Sequence, residues 1–201
     1  MKKYILALFI ATLGLGQAAS ITVGKGFGQG VNVLPTVGSD AITTFSFAIG
    51  TFAAEPAANA SFADLVASFK EFGRTSTPLV NVGNTIIAVS SPFTAAPANA
   101  IDFNGKPIYI LVGTDGLVNS TQYAVVKALN PAAGKWLFPA NVAIADAGDA
   151  PMNSAANFQA VIGTRIDNVS GIDSLRLVGI PEPTSMVLLV GSLALGLRRR
   201  R

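Results

Sequence analysis

The chain contains no cysteine, no histidine and a single tryptophan among its 201 residues, and only 12% of them are charged. Without histidine there is no Ser-His-Asp triad, no imidazole proton shuttle and no zinc site of the usual His-bearing kinds. Without cysteine there is no disulfide, thiolate nucleophile or Cys-ligated cluster. The missing cysteine is neutral as to compartment, because an oxidising environment permits disulfides without demanding them. The length suits one ordinary domain with tails and is too short for two large ones.

Charge is also scarce where it would matter most. Of 14 Lys and Arg, Lys2, Lys3 and Arg198 to Arg201 lie at the ends, leaving eight; of 11 Asp and Glu only Glu182 does, leaving ten. The interior from Ser20 to Ile180 therefore carries −2, although the whole chain carries +3. Its cations are scattered singly, whereas a nucleic-acid binder gathers Lys and Arg on the folded part. Nucleic acid is set aside as a partner.

What is present begins with residues 1–19, which read as a secretory signal peptide. Lys2 and Lys3 supply the positive start, residues 4–15 an apolar run of twelve broken only by Thr12 and Gly14, and Gly16-Gln17-Ala18-Ala19-Ser20 the small residues that peptidase cleavage needs. Cleavage after Ala18, Ala19 or Ser20 stays open. The competing reading, a buried helix of a cytosolic domain, leaves the basic start unexplained.

The other end has three parts. Pro181-Glu182-Pro183 prevents a helix from continuing and holds the backbone extended, a form that a processing enzyme can grip. An apolar run follows, carried by Met186, Val187, Leu188, Leu189, Val190, Leu193, Leu195 and Leu197, and Arg198, Arg199, Arg200 and Arg201 close the chain. Four arginines favour the cytoplasmic side, so export of the preceding part leaves the domain outside. Residues 184–197 make a helix of roughly 21 Å at ~1.5 Å per residue, against a hydrocarbon core of about 30 Å. Snorkelling arginines and a thinned bilayer narrow that gap, which suits a temporary anchor. The alternative, an amphipathic helix packed on the domain, lacks a polar face beyond Ser192 and the glycines.

The order Pro-Glu-Pro, short apolar helix and terminal arginines in residues 181–201 resembles the PEP-CTERM sorting signal of bacterial exported proteins. The resemblance implies that this chain is a substrate of a membrane-embedded exosortase, cut near residues 181–183. It further implies a membrane-anchored precursor in the inner membrane, and a product released to the cell surface or to an extracellular matrix rich in exopolysaccharide. Signal peptidase and an exosortase-type enzyme are then its processing partners.

Residues 20–180 remain as the exported domain. Residues 41–52 place Phe45, Phe47 and Ile49 at period two, a strand with one buried face. Further strands are expected at 85–90, 107–113, 122–128 and 175–179, with Thr114-Asp115-Gly116 as a turn. One helix is expected, capped by Ser61 with Asp64 as the acidic member of a capping box, ended by Gly73, and carrying Phe62, Leu65, Val66, Phe69 and Phe72 as one apolar stripe that packs on a sheet. Residues 53–60, 95–100 and 146–157 read as loops. The absence of regular strand-helix alternation argues against a parallel sheet. The fold class is mostly β: an antiparallel β-sandwich or barrel-like sheet with one short amphipathic helix, besides a signal helix and a membrane helix at the ends.

Local chemistry is thin. Gly24, Gly26, Gly28 and Gly30 alternate, but the spacing is not GxGxxG and no strand of useful length precedes them, so a flexible start or an edge strand is preferred over a phosphate cradle. Asp146 and Asp149 offer two carboxylates to a calcium ion that takes about six to eight oxygens. Trp136, Tyr109 and Tyr123 could stack on sugar rings, since aromatic and pyranose faces are both amphipathic, although a Trp beside Leu137 is more often core or rim. The expected function is a surface or matrix protein with no catalysis, cofactor or metal of its own. The alternative is a glycan-binding module or a secreted glycan-active enzyme working through two carboxylates, which needs neither His nor Cys. Two acids about 5 to 9.5 Å apart in an aromatic cleft would favour the enzyme.

Overall fold

The computed structural model describes residues 20–23, 32–36, 42, 44–74, 79–82, 85–86, 93–94, 102–114, 117, 120–132, 134–140, 147–152, 157–169 and 172–180. In chain order the elements are β1 (Ser20–Val23), β2 (Asn32–Leu34), β3 (Thr44–Phe52), α1 (Phe62–Ser68), β4 (Phe69–Arg74), β5 (Leu79–Val82), β6 (Thr85–Ile86) and β7 (Phe93–Thr94). There follow β8 (Tyr109–Gly113), β9 (Gln122–Ala128), β10 (Ala147–Ala150), β11 (Phe158–Ile162), β12 (Thr164–Val169), β13 (Ile172–Arg176) and β14 (Val178–Gly179). Among the described residues the protein is mostly β with one helix, and its largest sheet is antiparallel throughout, as the sequence leads one to expect.

That sheet runs β11-β9-β8-β3-β5-β6, with β4 also beside β3 and β14 beside β9. Its centre is buried on both faces because alternate residues of β3, β8 and β9 feed two separate cores. Phe45, Phe47, Ile49, Ile110, Val112, Ala124 and Val126 enter the larger core. Ala48, Phe52, Tyr109, Leu111, Tyr123 and Val125 enter the smaller. The expectation of a single buried face on β3 is therefore corrected: Ser46 and Ala48 are buried as well, since α1 and β4 supply residues to the second face. Two three-stranded sheets complete the structure, β10-β1-β7 and β12-β13-β2. Each contains one parallel pair, β1 with β10 and β13 with β2. Ile21, Val23, Val33 and Leu175 carry these sheets into the larger core.

Helix α1 starts as its sequence dictates and stops early. The Asp64 amide donates to Ser61 Oγ at 3.1 Å, and that hydroxyl donates to the Asp64 carboxylate at 2.6 Å, a capping box in which the acid holds the cap's side chain. Gly73 does not end the helix, and the five-residue stripe does not exist. Ser68 Oγ donates back to the Asp64 and Leu65 carbonyls, the Phe69 N–H makes the last helical bond to Leu65, and Phe69 is itself already extended. Residues 69 and 72 share a face on a helix but point oppositely on a strand. Phe69 accordingly packs on the smaller core and Phe72 enters the larger. Leu65 is fully buried and Phe62 partly so, whereas Val66 is 48% exposed.

Other boundaries shift in the same way. Strand β9 matches its expected limits, β8 begins two residues late, and the expected 175–179 strand divides into the end of β13 and β14 around Leu177. The 146–157 loop contains β10, and β1 precedes the alternating glycines, where no useful strand was expected. Those glycines, residues 87–90 and 95–100, Asp115, Gly116 and Asp146 lie outside the described residues, as do residues 1–19, expected as a signal peptide, and residues 181–201, expected as a sorting signal. Among the described residues no helix is long and apolar enough to cross a membrane.

Candidate functional site

The three aromatic candidates are core residues, and they are not brought together. Tyr109 opens β8, 6% exposed, with its ring edge-on to Phe52 at 5.2 Å. Tyr123 lies on β9, 7% exposed, with Phe62 at 5.1 Å, and its hydroxyl donates to the Ala60 carbonyl at 3.1 Å. The two tyrosines share the face under α1, but Tyr109 pairs with Lys127 and Tyr123 with Gly113, four positions apart along the β8–β9 ladder. That is roughly 13 Å at ~3.3 Å per residue. Burial pushes both phenols above the ordinary tyrosine value; at Tyr109 the nearby Glu55 carboxylate adds to the rise and Lys127 opposes it.

Trp136 lies on the opposite side of the sheet, in the larger core, 2% exposed. A tight turn sets it there: Ala132 and Lys135 exchange backbone hydrogen bonds of 3.0 and 2.8 Å around Gly134, whose φ is +76°. The chain then runs antiparallel to residues 105–108, with Ile108 N–H donating to the Trp136 carbonyl and Phe138 N–H to the Lys106 carbonyl, both at 2.9 Å. Trp136 itself has φ +58°, the left-handed region that L-residues other than Asn and Asp seldom adopt. Its indole Nε1 has no hydrogen-bond partner among the described residues. Phe138 beside it completes a ring cluster with Phe72 and Phe103. No face of Trp136 is open to a sugar, and the tyrosines are equally enclosed.

Among the described residues Glu55, Glu71, Asp102 and Asp167 are spread around the periphery, each engaged by a cation. Glu55 pairs with Lys127, and Glu71 with Arg74 through both carboxylate oxygens. Asp102 meets Lys70 at 2.9 Å and Asp167 meets Arg165 at 2.8 Å. The Lys70 ammonium holds the Asp102 carboxyl below its ordinary value, and the Glu71 carboxylate raises the Arg74 guanidinium. Among the described residues no three His, Cys, Asp or Glu lie close enough together to hold a metal. Asp149 sits on β10 in register with Thr22.

The pairing at the start of the described chain is what sequence reasoning missed. Ser20 pairs with Ala147 on one side and Thr94 on the other, and Ile21 with Gly148 and Phe93, so β1 is gripped on both edges. Ile21 is fully buried, and a Cβ on Gly148 would lie 2.8 Å from its Cδ1. At the far end Val178 and Gly179 pair with Tyr123 and Gln122, and Ile180 N–H donates to the Thr121 carbonyl at 2.8 Å. The alternation Ile21-Thr22-Val23 is the only local signal for β1, and it is too short to separate from the apolar leader that precedes it. The chain matches no protein-family model, no curated protein and no solved structure.

Proposed function

We propose that this is an exported bacterial protein of the PEP-CTERM kind. Residues 20–180 form a non-catalytic β-sandwich passenger, which is anchored briefly in the inner membrane, cut by an exosortase-type enzyme and delivered to the cell surface or an exopolysaccharide matrix. The observation that carries the reading is the tripartite order of residues 181–201: Pro181-Glu182-Pro183, an apolar run and four arginines. The leader at residues 1–19 agrees with it. The sandwich reading draws on the larger core, which receives side chains from the central sheet and from both three-stranded sheets.

The chemistry of the passenger is consistent with a structural role. Its described carboxylates with placed side chains are occupied by cations or by the Ser61 hydroxyl, and its large aromatics serve the core. The glycan-stacking alternative loses the platform it needed once Trp136, Tyr109 and Tyr123 are enclosed. The test is replacement of Pro181, Glu182 and Pro183 by Ala, which should leave the protein in the inner membrane, together with mass spectrometry of the exported parent. Surface material still bearing Arg198 to Arg201, or release unchanged by the replacement, would refute the proposal.

A further inference from the structure

We infer that leader removal and the docking of β1 compete, so that the signal peptide must be cut before β1 closes between β7 and β10. The inference rests on the reading of residues 1–19 as a cleaved leader. Every candidate cut, after Ala18, Ala19 or Ser20, requires residues 20 and 21 to lie extended in a peptidase cleft, where recognition runs through main-chain hydrogen bonds of the kind that strand addition uses. In the folded protein the main chain of β1 is already committed. Ser20 and Ile21 are paired with Ala147 and Gly148 on one edge and with Thr94 and Phe93 on the other, so neither edge is left for an enzyme. The side chains add a second lock. Ile21 is fully buried, and Val23 joins the same core. Presenting the cleavage site therefore means pulling an interior strand out of its sheet. Cutting then depends on the small population in which β1 is open.

Gly148 gives a handle remote from the cleavage sequence. A Cβ there would stand 2.8 Å from Ile21 Cδ1, the end of a side chain that can shift, and 3.3 Å from the Leu137 carbonyl oxygen, so the further methyls of a valine crowd Ile21 and loosen β1 while leaving the leader and cut sites untouched. A complementary lock uses Thr22 and Asp149, which are register partners on neighbouring strands; their Cα atoms are about 4.8 Å apart, within the span a disulfide bridges. Because the chain has no cysteine, Thr22→Cys with Asp149→Cys introduces the only thiols.

The experiment follows cleavage of the full chain in detergent micelles by purified signal peptidase. The parent is presented folded or freshly diluted from urea, alongside the Gly148→Val chain and the Thr22→Cys/Asp149→Cys chain, oxidised or reduced. Folded parent should be cut at least about 100-fold more slowly than unfolded parent, Gly148→Val should be cut fast in either form, and the oxidised pair should resist until reduced. Equal rates for folded and unfolded parent would overturn the inference, as would failure of the two thiols to join in the folded chain. If Gly148→Val does not fold, the oxidised and reduced pair decides alone. No cleavage of any chain, unfolded parent included, would instead overturn the leader reading itself.

Discussion

Replacing Trp136 by Ala separates a core tryptophan from a sugar platform. Truncating a buried tryptophan costs about 3–5 kcal/mol. The indole N–H is buried without a partner among the described residues, and removing such a donor returns about 1–3 kcal/mol. Alanine inherits the left-handed backbone, so that cost of about 1–2 kcal/mol is common to both chains and cancels. At the middle of these ranges the expected net loss is about 2 kcal/mol, or roughly 4–8 °C in Tm for a chain of this size. Trp136→Phe removes the orphan donor while keeping most of the ring, and should fall within about 1 kcal/mol of the parent. The assay is urea unfolding of residues 20–180 followed by far-UV circular dichroism, since both variants delete the only tryptophan. The parent's fluorescence should be blue-shifted and indifferent to added oligosaccharides. A Trp136→Ala chain within about 0.5 kcal/mol of the parent, with altered glycan binding, would refute the core assignment.

Three further outcomes are expected. Gly163 joins β11 to β12 at φ +97°, and a Cβ there would lie 2.6 Å from the Arg176 carbonyl oxygen and 3.0 Å from the Ala124 Cβ, whereas Gly105 at φ +64° has nothing within 4 Å. Gly105→Ala should therefore lose about 1 kcal/mol and Gly163→Ala about 1–3 kcal/mol more by urea denaturation. Ser61→Ala should cost about 1 kcal/mol through loss of the α1 cap, and partial recovery with Ser61→Asn would tie the loss to capping. Burial raises the folded-state values of Tyr109 and Tyr123, so their neutral forms support the fold. That contribution is complete below the unfolded tyrosine value of about 10 and is lost as pH climbs through the folded values. The urea midpoint should thus drop above pH ~10, and Tyr109→Phe with Tyr123→Phe should flatten the drop.

Much of the central sheet is legible because its signals are local. β9 is Val-rich, bounded by turn residues and paired on both sides, so composition alone marks its ends. The Ser61 cap is legible for the same reason, since donor and acceptor lie three residues apart. Phe69 and Phe72 mislead because the spacing 0, 3, 4, 7, 10 is helical, while the decision is taken elsewhere: β3 offers an open edge, and Phe69 pairs with Phe52 and Gly73 with Ile49. Tertiary pairing overrides the local period. The 146–157 segment hides β10 because small residues such as Ala147 and Gly148 carry no hydrophobic pattern, yet Gly148 is the small residue that Ile21 requires opposite it. Trp136 is ambiguous in sequence because stacking on a sugar and filling a core call for the same side chain, and only its burial separates them.

The two junctions differ mechanically, and the difference orders the proposed events. β1 is an interior strand whose removal strips Ile21 and Val23 from the larger core, each worth about 1.5–3 kcal/mol of burial. β14 is two residues long and among the described strands pairs with β9 alone, Val178 is 38% exposed, and Gly179 has no side chain to withdraw. Detaching residues 178–180 breaks two register pairs and the Ile180 hydrogen bond, disturbs only the partly buried Ile180 at the smaller core, and leaves the larger core whole. It yields roughly 10 Å of slack at ~3.4 Å per residue, enough to carry Pro181-Glu182-Pro183 clear of the sheet edge. An enzyme acting on that motif can therefore work on a folded domain, whereas one acting at residues 18–21 cannot. In the proposed scheme leader cutting comes first, folding completes while the C-terminal run still tethers the chain, and release is the last step. A short-lived anchor would serve that sequence, since it would hold the domain on the outer face of the membrane for as long as β1 needs to find its place.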